Sequence, residues 1–434
     1  MKLKFYHIIT IGCQMNKADS ERLAAFLEKN GLKDKNNFKE ADLVIINTCG
    51  VRQSAENRAY ALVNQIKEAN PTATITITGC LSKREDVQER LAGCVDLFFP
   101  ASAMTDILKL LEKRILKSSL SLDEVRLMQG EKYLTILPKY QNNFSALVPI
   151  GNGCNNFCSY CVVPYARGRE VYRPAASIIK EVRELIAKGF KEIILIAQNV
   201  NSYQSGAYDF PKLLVQLATI KGDFWLRFST SHPKDVSEQL IDAISSQLKI
   251  CPHLHLAVQS GDDDILKAMN RKYTAAHFLS RVKKLRQARP GIAITTDVIV
   301  GFPGETKKQF NNSVKLFKQA AFDMAYISRY SPRPGTASAR LEDNVSLEEK
   351  KRREKVIDAV LRETAAANNS AYEGQTVRIL IEGINKRGHY YGKTGSYKNV
   401  SISGDYQAQP SLIGRFAAVK ITKCQPFGLD GDLV

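Results

Sequence analysis

The 434-residue chain is 44% apolar and 24% charged, with 62 Lys+Arg against 44 Asp+Glu and a net charge of +18. That apolar content supports two or three packed domains and excludes a disordered chain. No stretch approaches the ~18 uninterrupted apolar residues of a membrane span, and the basic excess favours a polyanionic partner.

The opening "MKLKFYHIITIGCQ" imitates a secretory signal, but His7 interrupts its apolar run and an amphipathic helix follows at once, so it reads as a first strand. From there to about residue 115, β-rich runs alternate with helical patterns: "FYHIITIG" then "SERLAAFLEKNG", "LVIINT" then "AENRAYALVNQIKEA", "TATITIT" then "REDVQERLAG". Such alternation predicts a parallel sheet covered by helices, an α/β domain over residues 1–118. Cys13, Cys49 and Cys80 each follow the end of one of three successive strands, which gathers them at the carboxyl edge where open α/β sheets place ligands.

A polar, weakly patterned linker is expected over 119–143. Six further strand–helix units follow over 144–368, with strands at "ALVPI", "EIILIAQ", "WLRFST", "LHLAVQ", "ITTDVIV" and "MAYISRY". That predicts a partial (β/α)6 barrel, with Cys154, Asn199, Ser229, Gln259 and Gly301 following successive strands on the chemistry-bearing side. Basic runs such as "EEKKRREK", Glu348 to Lys355, read as solvated helix faces. Residues 371–434 turn Gly- and β-rich, predicting a small antiparallel β-barrel in which Tyr390, Tyr391 and Tyr397 interleave with Lys393 and Lys398, a mixture suited to base stacking and phosphate attraction.

The chain holds nine cysteines. In a chain read as cytoplasmic, such groups point to metal or redox sites rather than disulfides. Cys154, Cys158 and Cys161 are spaced C-x3-C-x2-C, with no fourth cysteine or suitably spaced histidine following. Structural zinc takes four ligands, so zinc is the weaker reading; a four-iron cluster on three thiolates keeps one iron open, the mark of catalysis.

"CNNFCSYC" at a first barrel strand, with "TTDVIVGFPGET" after the fifth, resembles the radical S-adenosylmethionine (SAM) enzymes. "TIGCQMNKADSE", "INTCGVRQSAENRA" and "TGCLSKR" narrow the resemblance to the methylthiotransferases, and the C-terminal segment is similar to the TRAM RNA-binding domain. "CVVPYARGRE", "QNVNSY", "HLHLAVQSG" and "YSPRPGTASA" resemble the branch that modifies isopentenyladenosine in tRNA, with Ala197, Ala257 and Tyr172 as small departures.

That resemblance implies two 4Fe-4S clusters. One, on Cys154, Cys158 and Cys161, would cleave SAM to start activation of carbon 2 of the adenine. The other, on Cys13, Cys49 and Cys80, would carry sulfur methylated by a second SAM. The product would be 2-methylthio-isopentenyladenosine next to the anticodon. Tyr160, Gln198, Gln259, Asp297 and Gly301 are candidate SAM contacts; Arg167 and Arg169 are candidates for phosphate or the SAM carboxylate. His232 and His255 read as structural. Partners implied are the tRNA anticodon arm, an electron donor and a sulfur donor, with no membrane; the chain is expected in the cytoplasm, its oligomeric state left open with a monomer as the default. Rival readings are methylthiolation of threonylcarbamoyl-adenosine in tRNA or of an aspartate in a ribosomal protein, and a non-enzymatic metal-containing RNA-binding protein.

Overall fold

The computed structural model describes residues 3–115, 131–404 and 411–434. The apolar runs of the first hundred residues become strands β1 (Phe5–Thr10), β2 (Lys33–Asp34), β3 (Leu43–Thr48), β4 (Thr74–Gly79) and β5 (Leu97–Phe98). They form one sheet in the order β2-β1-β3-β4-β5, and every pair is parallel. The central β3 is buried at all its positions, as a strand covered on both faces must be. Helices α1 (Gln14–Lys29) and α4 (Ile107–Ile115) pack over Tyr6, Leu43 and Ile45; α2 (Gln53–Ala69) and α3 (Glu85–Arg90) pack over Val44, Ile46 and Ile77.

Residues 119–130 of the expected linker lie outside the described residues. Its described part departs from the expectation of an unpatterned connection, because Tyr133 and Leu134 are both 1% exposed in the core of the first domain. Their apolar surface draws the helical turn Glu131–Thr135 back onto the sheet.

The second domain begins with β6 (Ser145–Pro149), followed by the short strand β7 (Gly151–Asn152), α5 (Val163–Arg167), β8 (Val171–Tyr172) and α6 (Ala175–Ala187). Next come β9 (Glu192–Ile196), the hairpin β10 (Gln204–Ser205) and β11 (Tyr208–Asp209), α7 (Phe210–Ala218) and β12 (Trp225–Phe228). After α8 (Glu238–Ser246), strand β13 (His253–His255), α9 (Asp263–Ala268) and α10 (Ala275–Ala288) lead to β14 (Ala293–Val300). The domain closes with α11 (Lys307–Ala320), β15 (Met324–Arg329) and α12 (Leu347–Ser370). The six main strands run parallel as β6-β9-β12 and β13-β14-β15, joined by isolated bridges from Leu226 to Ile250 and from Ser231 to Leu256. This is the open six-stranded barrel expected.

Strand alternation sorts its side chains. Ile193 and Leu195 of β9 pack outward with Ile178 and Val182 of α6. The lumen-facing Ile194 and Ile196 instead meet Met15 and Ala18 of α1. A helix of the first domain thus covers the first edge of the open barrel.

The third domain is a closed barrel of β16 (Thr376–Ile384), β17 (Tyr390–Thr394), β18 (Asn399–Ile402), β20 (Gly428–Leu433) and β19 (Phe416–Gln425), in that order. It is not wholly antiparallel: β18 and β20 pair parallel, because the β19–β20 hairpin returns alongside β18 to close the ring. This barrel stops the amino-terminal mouth of the six-stranded one. Trp225 and Cys251 pack on Leu380, Tyr397 stacks on His253 with ring centroids 4.8 Å apart, and Lys398 pairs with Asp323 at 2.5 Å. The opposite mouth stays free for chemistry.

Candidate metal centres and the cavity between them

Strands β1, β3 and β4 are neighbours whose ends lie level, with Thr10 opposite Asn47 and Thr48 opposite Gly79. Cys13, Cys49 and Cys80 therefore leave the sheet side by side. Their loops touch: a Cβ on Gly12 would come within 3.1 Å of the Cys49 Cβ, and one on Gly50 within 3.3 Å of the Cys80 Cβ. Asn16 ties them, donating through Nδ2 to the Thr48 carbonyl at 2.9 Å and to Asn47 Oδ1 at 2.8 Å. Burial pushes the Cys49 thiol up and nearby Cys80 adds to it, while the backbone N–H groups of Val51 and Arg52 donate to its sulfur.

The second trio sits in the loop after β6. Gly153 has φ +84°, and any Cβ there would fall 2.1 Å from the Arg169 carbonyl, so only glycine fits. Phe157 takes φ +47°, a conformation held by Asn270, which donates to the Phe157 carbonyl at 2.8 Å. Donors converge on the sulfurs: Asn156 Nδ2 lies 3.4 Å from Cys154 Sγ and Arg271 Nη1 3.4 Å from Cys158 Sγ. Burial drives the Cys161 thiol up to about 12, with Cys158 adding, against a donated backbone N–H from Val163.

The two trios face one another. Cys80 of the first is within electrostatic reach of Cys161 of the second. Arg167 feels Cys80 and Cys13 as well as Asp19, which together outweigh its burial and hold its guanidinium charged. Beside them opens a cavity of about 1020 Å³, walled on one side by Val51, Arg52 and Gln53 and on the other by Cys161, Gln259 and Asp297. Arg333 crosses it, donating to Gln53 Oε1 at 2.6 Å.

Comparison with known proteins decides the family. The Radical SAM superfamily matches residues 148–317, the Uncharacterized protein family UPF0004 residues 5–99 and the TRAM domain residues 370–434. The tRNA-2-methylthio-N(6)-dimethylallyladenosine synthase of Thermoanaerobacter pseudethanolicus is 42% identical over 442 residues, covering 99% of this chain and 93% of the relative. The synthase of the same name from Carboxydothermus hydrogenoformans is 39% identical over the whole of both chains. The chain belongs to this synthase family.

Among solved structures, the radical SAM methyltransferase TsrM from Kitasatospora setae matches with TM-score 0.58 at 14% identity, covering 78% of this chain and 77% of that one. The cobalamin-dependent radical SAM enzyme OxsB matches with TM-score 0.52 at 11% identity, covering 84% and 56%. Both likenesses concern the fold.

Membership of the radical SAM superfamily brings SAM and a 4Fe-4S cluster, and the donor set fits. Three thiols on a glycine-bound loop, with N–H donors aimed at sulfur, are what cluster thiolates use, since such hydrogen bonds tune the cluster. Among the described residues no group of three or more His, Cys, Asp or Glu side chains could hold a metal ion. A cubane makes a different demand, binding each thiolate at its own iron.

In this family member the sequence-predicted site residues fall into two groups. Tyr160, Gln259 and Asp297 line the cavity. Tyr160 packs beside Met269, Phe302 and Tyr330, and Gln259 turns there with φ +68°. Asp297 is approached by His255, whose Nε2 lies 3.3 Å from its Oδ2. The others stand apart from it. Gln198 lies two residues beyond β9, with Oε1 buried and unpartnered. Gly301 lies behind the wall, its N–H donated to Glu305 at 2.7 Å and its Cβ space filled by Lys350. Arg169 is exposed, over the Phe157 ring. Arg167 is no open phosphate hook, since its side chain is 5% exposed and bonded to Asp19 and Asn152.

Sequence reasoning missed Arg52, Gln53, Arg329, Arg333 and Lys350 in the wall. Lys350 and Arg353 sit in the basic run read as a solvated face, yet they are 4% and 3% exposed. Their spacing with Ile357, Val360 and Leu361 marks the buried stripe of α12, a signal that the surrounding charge hid.

Proposed function

We infer that the chain is a radical SAM tRNA methylthiotransferase that converts isopentenyladenosine (dimethylallyladenosine) beside the anticodon into its 2-methylthio form. The observation that carries this reading is the cavity walled jointly by the loop after Cys49 and by Cys161, since a reaction joining sulfur to an unactivated carbon needs both reagents at one base. Cys154, Cys158 and Cys161 would hold the SAM-binding cluster and Cys13, Cys49 and Cys80 a second, sulfur-bearing one. Bound there, SAM and the two clusters supply the radical and sulfur chemistry that no side chain can.

The chain's own residues bind and orient. Tyr160 gives SAM an apolar surface, Gln259 and Asp297 offer polar partners, and the wall cations Arg52, Arg329 and Arg333 attract phosphate or carboxylate. Gln198, Gly301 and Arg169 support that site from the strand ends and the cluster loop. The C-terminal barrel, with Tyr391 exposed, provides further RNA contact. An electron donor and a sulfur donor complete the reaction, which belongs in the cytoplasm with tRNA. The full-length identity to synthases named for dimethylallyladenosine supports this branch over the threonylcarbamoyl-adenosine and ribosomal-aspartate branches.

The test is a nucleoside digest of tRNA from a strain lacking the gene. Loss of 2-methylthio-isopentenyladenosine, with isopentenyladenosine accumulating in its place, is expected. An unchanged digest overturns the assignment.

A further inference from the structure

Both cysteine trios lead directly into helices, and the two helices are joined to each other. Cys13 caps α1, and six residues on, roughly 9 Å along its axis, stands Asp19. Cys161 precedes α5, and six residues on, at that helix's last position, stands Arg167. Arg167 Nη2 meets Asp19 Oδ2 at 2.8 Å, with the two side chains 5% and 2% exposed.

The guanidinium is also fixed from behind. Its Nη1 donates to Asn152 Oδ1 at 3.0 Å, and Asn152 Nδ2 donates back to the Arg167 carbonyl at 3.3 Å. Asn152 lies in β7, immediately before the Gly153 turn of the cluster loop.

Stability alone does not explain this pair. The interface is already sealed by Met15 and Ala18 against Ile194 and Ile196, and burying two charges there is expensive. Asp19 Oδ1 has no hydrogen-bond partner, so the carboxylate is incompletely compensated. A buried ion pair in this seam, which also holds Arg22 of α1 against Glu181 of α6 at 3.6 Å, serves to select one register of the two surfaces over its neighbours. Here the register sets the separation of the two cysteine trios.

We propose that Asp19–Arg167 is a positioning strut that fixes the distance and orientation between the two cluster centres, so that SAM cleavage at one is coupled to sulfur delivery from the other. This rests on the proposed function. Neither residue touches the reacting atoms. Sliding one centre by about 1 Å leaves each intact while lowering productive transfer by roughly 10- to 100-fold.

Asp19→Asn and the charge-keeping Arg167→Lys are compared with wild type on the full-length, anaerobically reconstituted protein with substrate tRNA. The expected result is that both variants keep wild-type iron and still cleave SAM, while methylthiolated product per 5'-deoxyadenosine falls roughly 10- to 100-fold in Asp19→Asn and less in Arg167→Lys. A cofactor-free readout accompanies it: amide hydrogen exchange of the apoprotein should quicken in α1 and residues 152–170 of Asp19→Asn and stay unchanged in the C-terminal barrel.

Unaltered coupling, or product and SAM cleavage falling together with lost iron, would overturn the strut. A wild-type enzyme that makes no methylthio product defeats the functional reading instead, and the exchange experiment then judges the strut by itself.

Discussion

At His232 burial decides the charge. Enclosed beside Tyr273, the ring is kept neutral by desolvation first and then by the positive Arg271 and Lys234, which drive its pKa from 6.5 down to about 2. In the unfolded chain it takes up a proton below about 6.5; in the folded chain it stays neutral until about 2. Unfolding therefore binds protons across that window, and stability present above about 6.5 is lost as pH falls, at up to ~1.4 kcal/mol per pH unit. Denaturant titrations between about pH 6.5 and 4 should show a shallower acid limb in His232→Gln than in wild type. Parallel limbs would contradict the assignment.

Sequence alone reads His232 as structural, and its ring is enclosed beside Tyr273. Arg167 was harder to read because its partner lies 148 positions away, and nothing local marks a loop arginine as internally spent. Cys13, Cys49 and Cys80 were legible because strand ends recur, and recurrence survives in one dimension.

One side chain of strand β12 hydrogen-bonds within both barrels. Arg227 donates from Nε to Glu192 at 2.6 Å within the open barrel, and from Nη1 and Nη2 to the Gly395 and Thr394 carbonyls at 2.7 and 2.8 Å in the closed one. Both carboxylate and guanidinium are buried. Arg227→Ala should destabilise the docked C-terminal barrel by about 3–5 kcal/mol, because Glu192 is left charged without its cation, whereas Arg227→Met combined with Glu192→Gln should lose less. Limited proteolysis near residue 370 with thermal melts checks this; equal behaviour of the two variants would contradict it.

The parallel β18–β20 pair, the hairpin β10–β11 and the return of Tyr133 were illegible, since register and long-range apolar pairing leave no periodic trace. The six main barrel strands were legible because each belongs to a short, largely apolar run followed by a helical pattern.

The molecule as a whole is an open barrel stopped at one end and overhung at the other. The C-terminal domain seals the amino-terminal mouth with packed rings, and the first domain leans over the other mouth through α1, Gln53 and the Asp19–Arg167 pair. What remains between is a cavity touched by both cysteine loops; among the described residues no helix is long and apolar enough to cross a membrane.

The central claim is that six thiolates hold two iron–sulfur centres, and iron counted per chain after anaerobic reconstitution tests it most directly. The account predicts about eight irons in wild type, and about four in each of Cys49→Ala and Cys158→Ala, with the other centre surviving. A full iron complement in either variant, or zinc in place of iron in wild type, would contradict it.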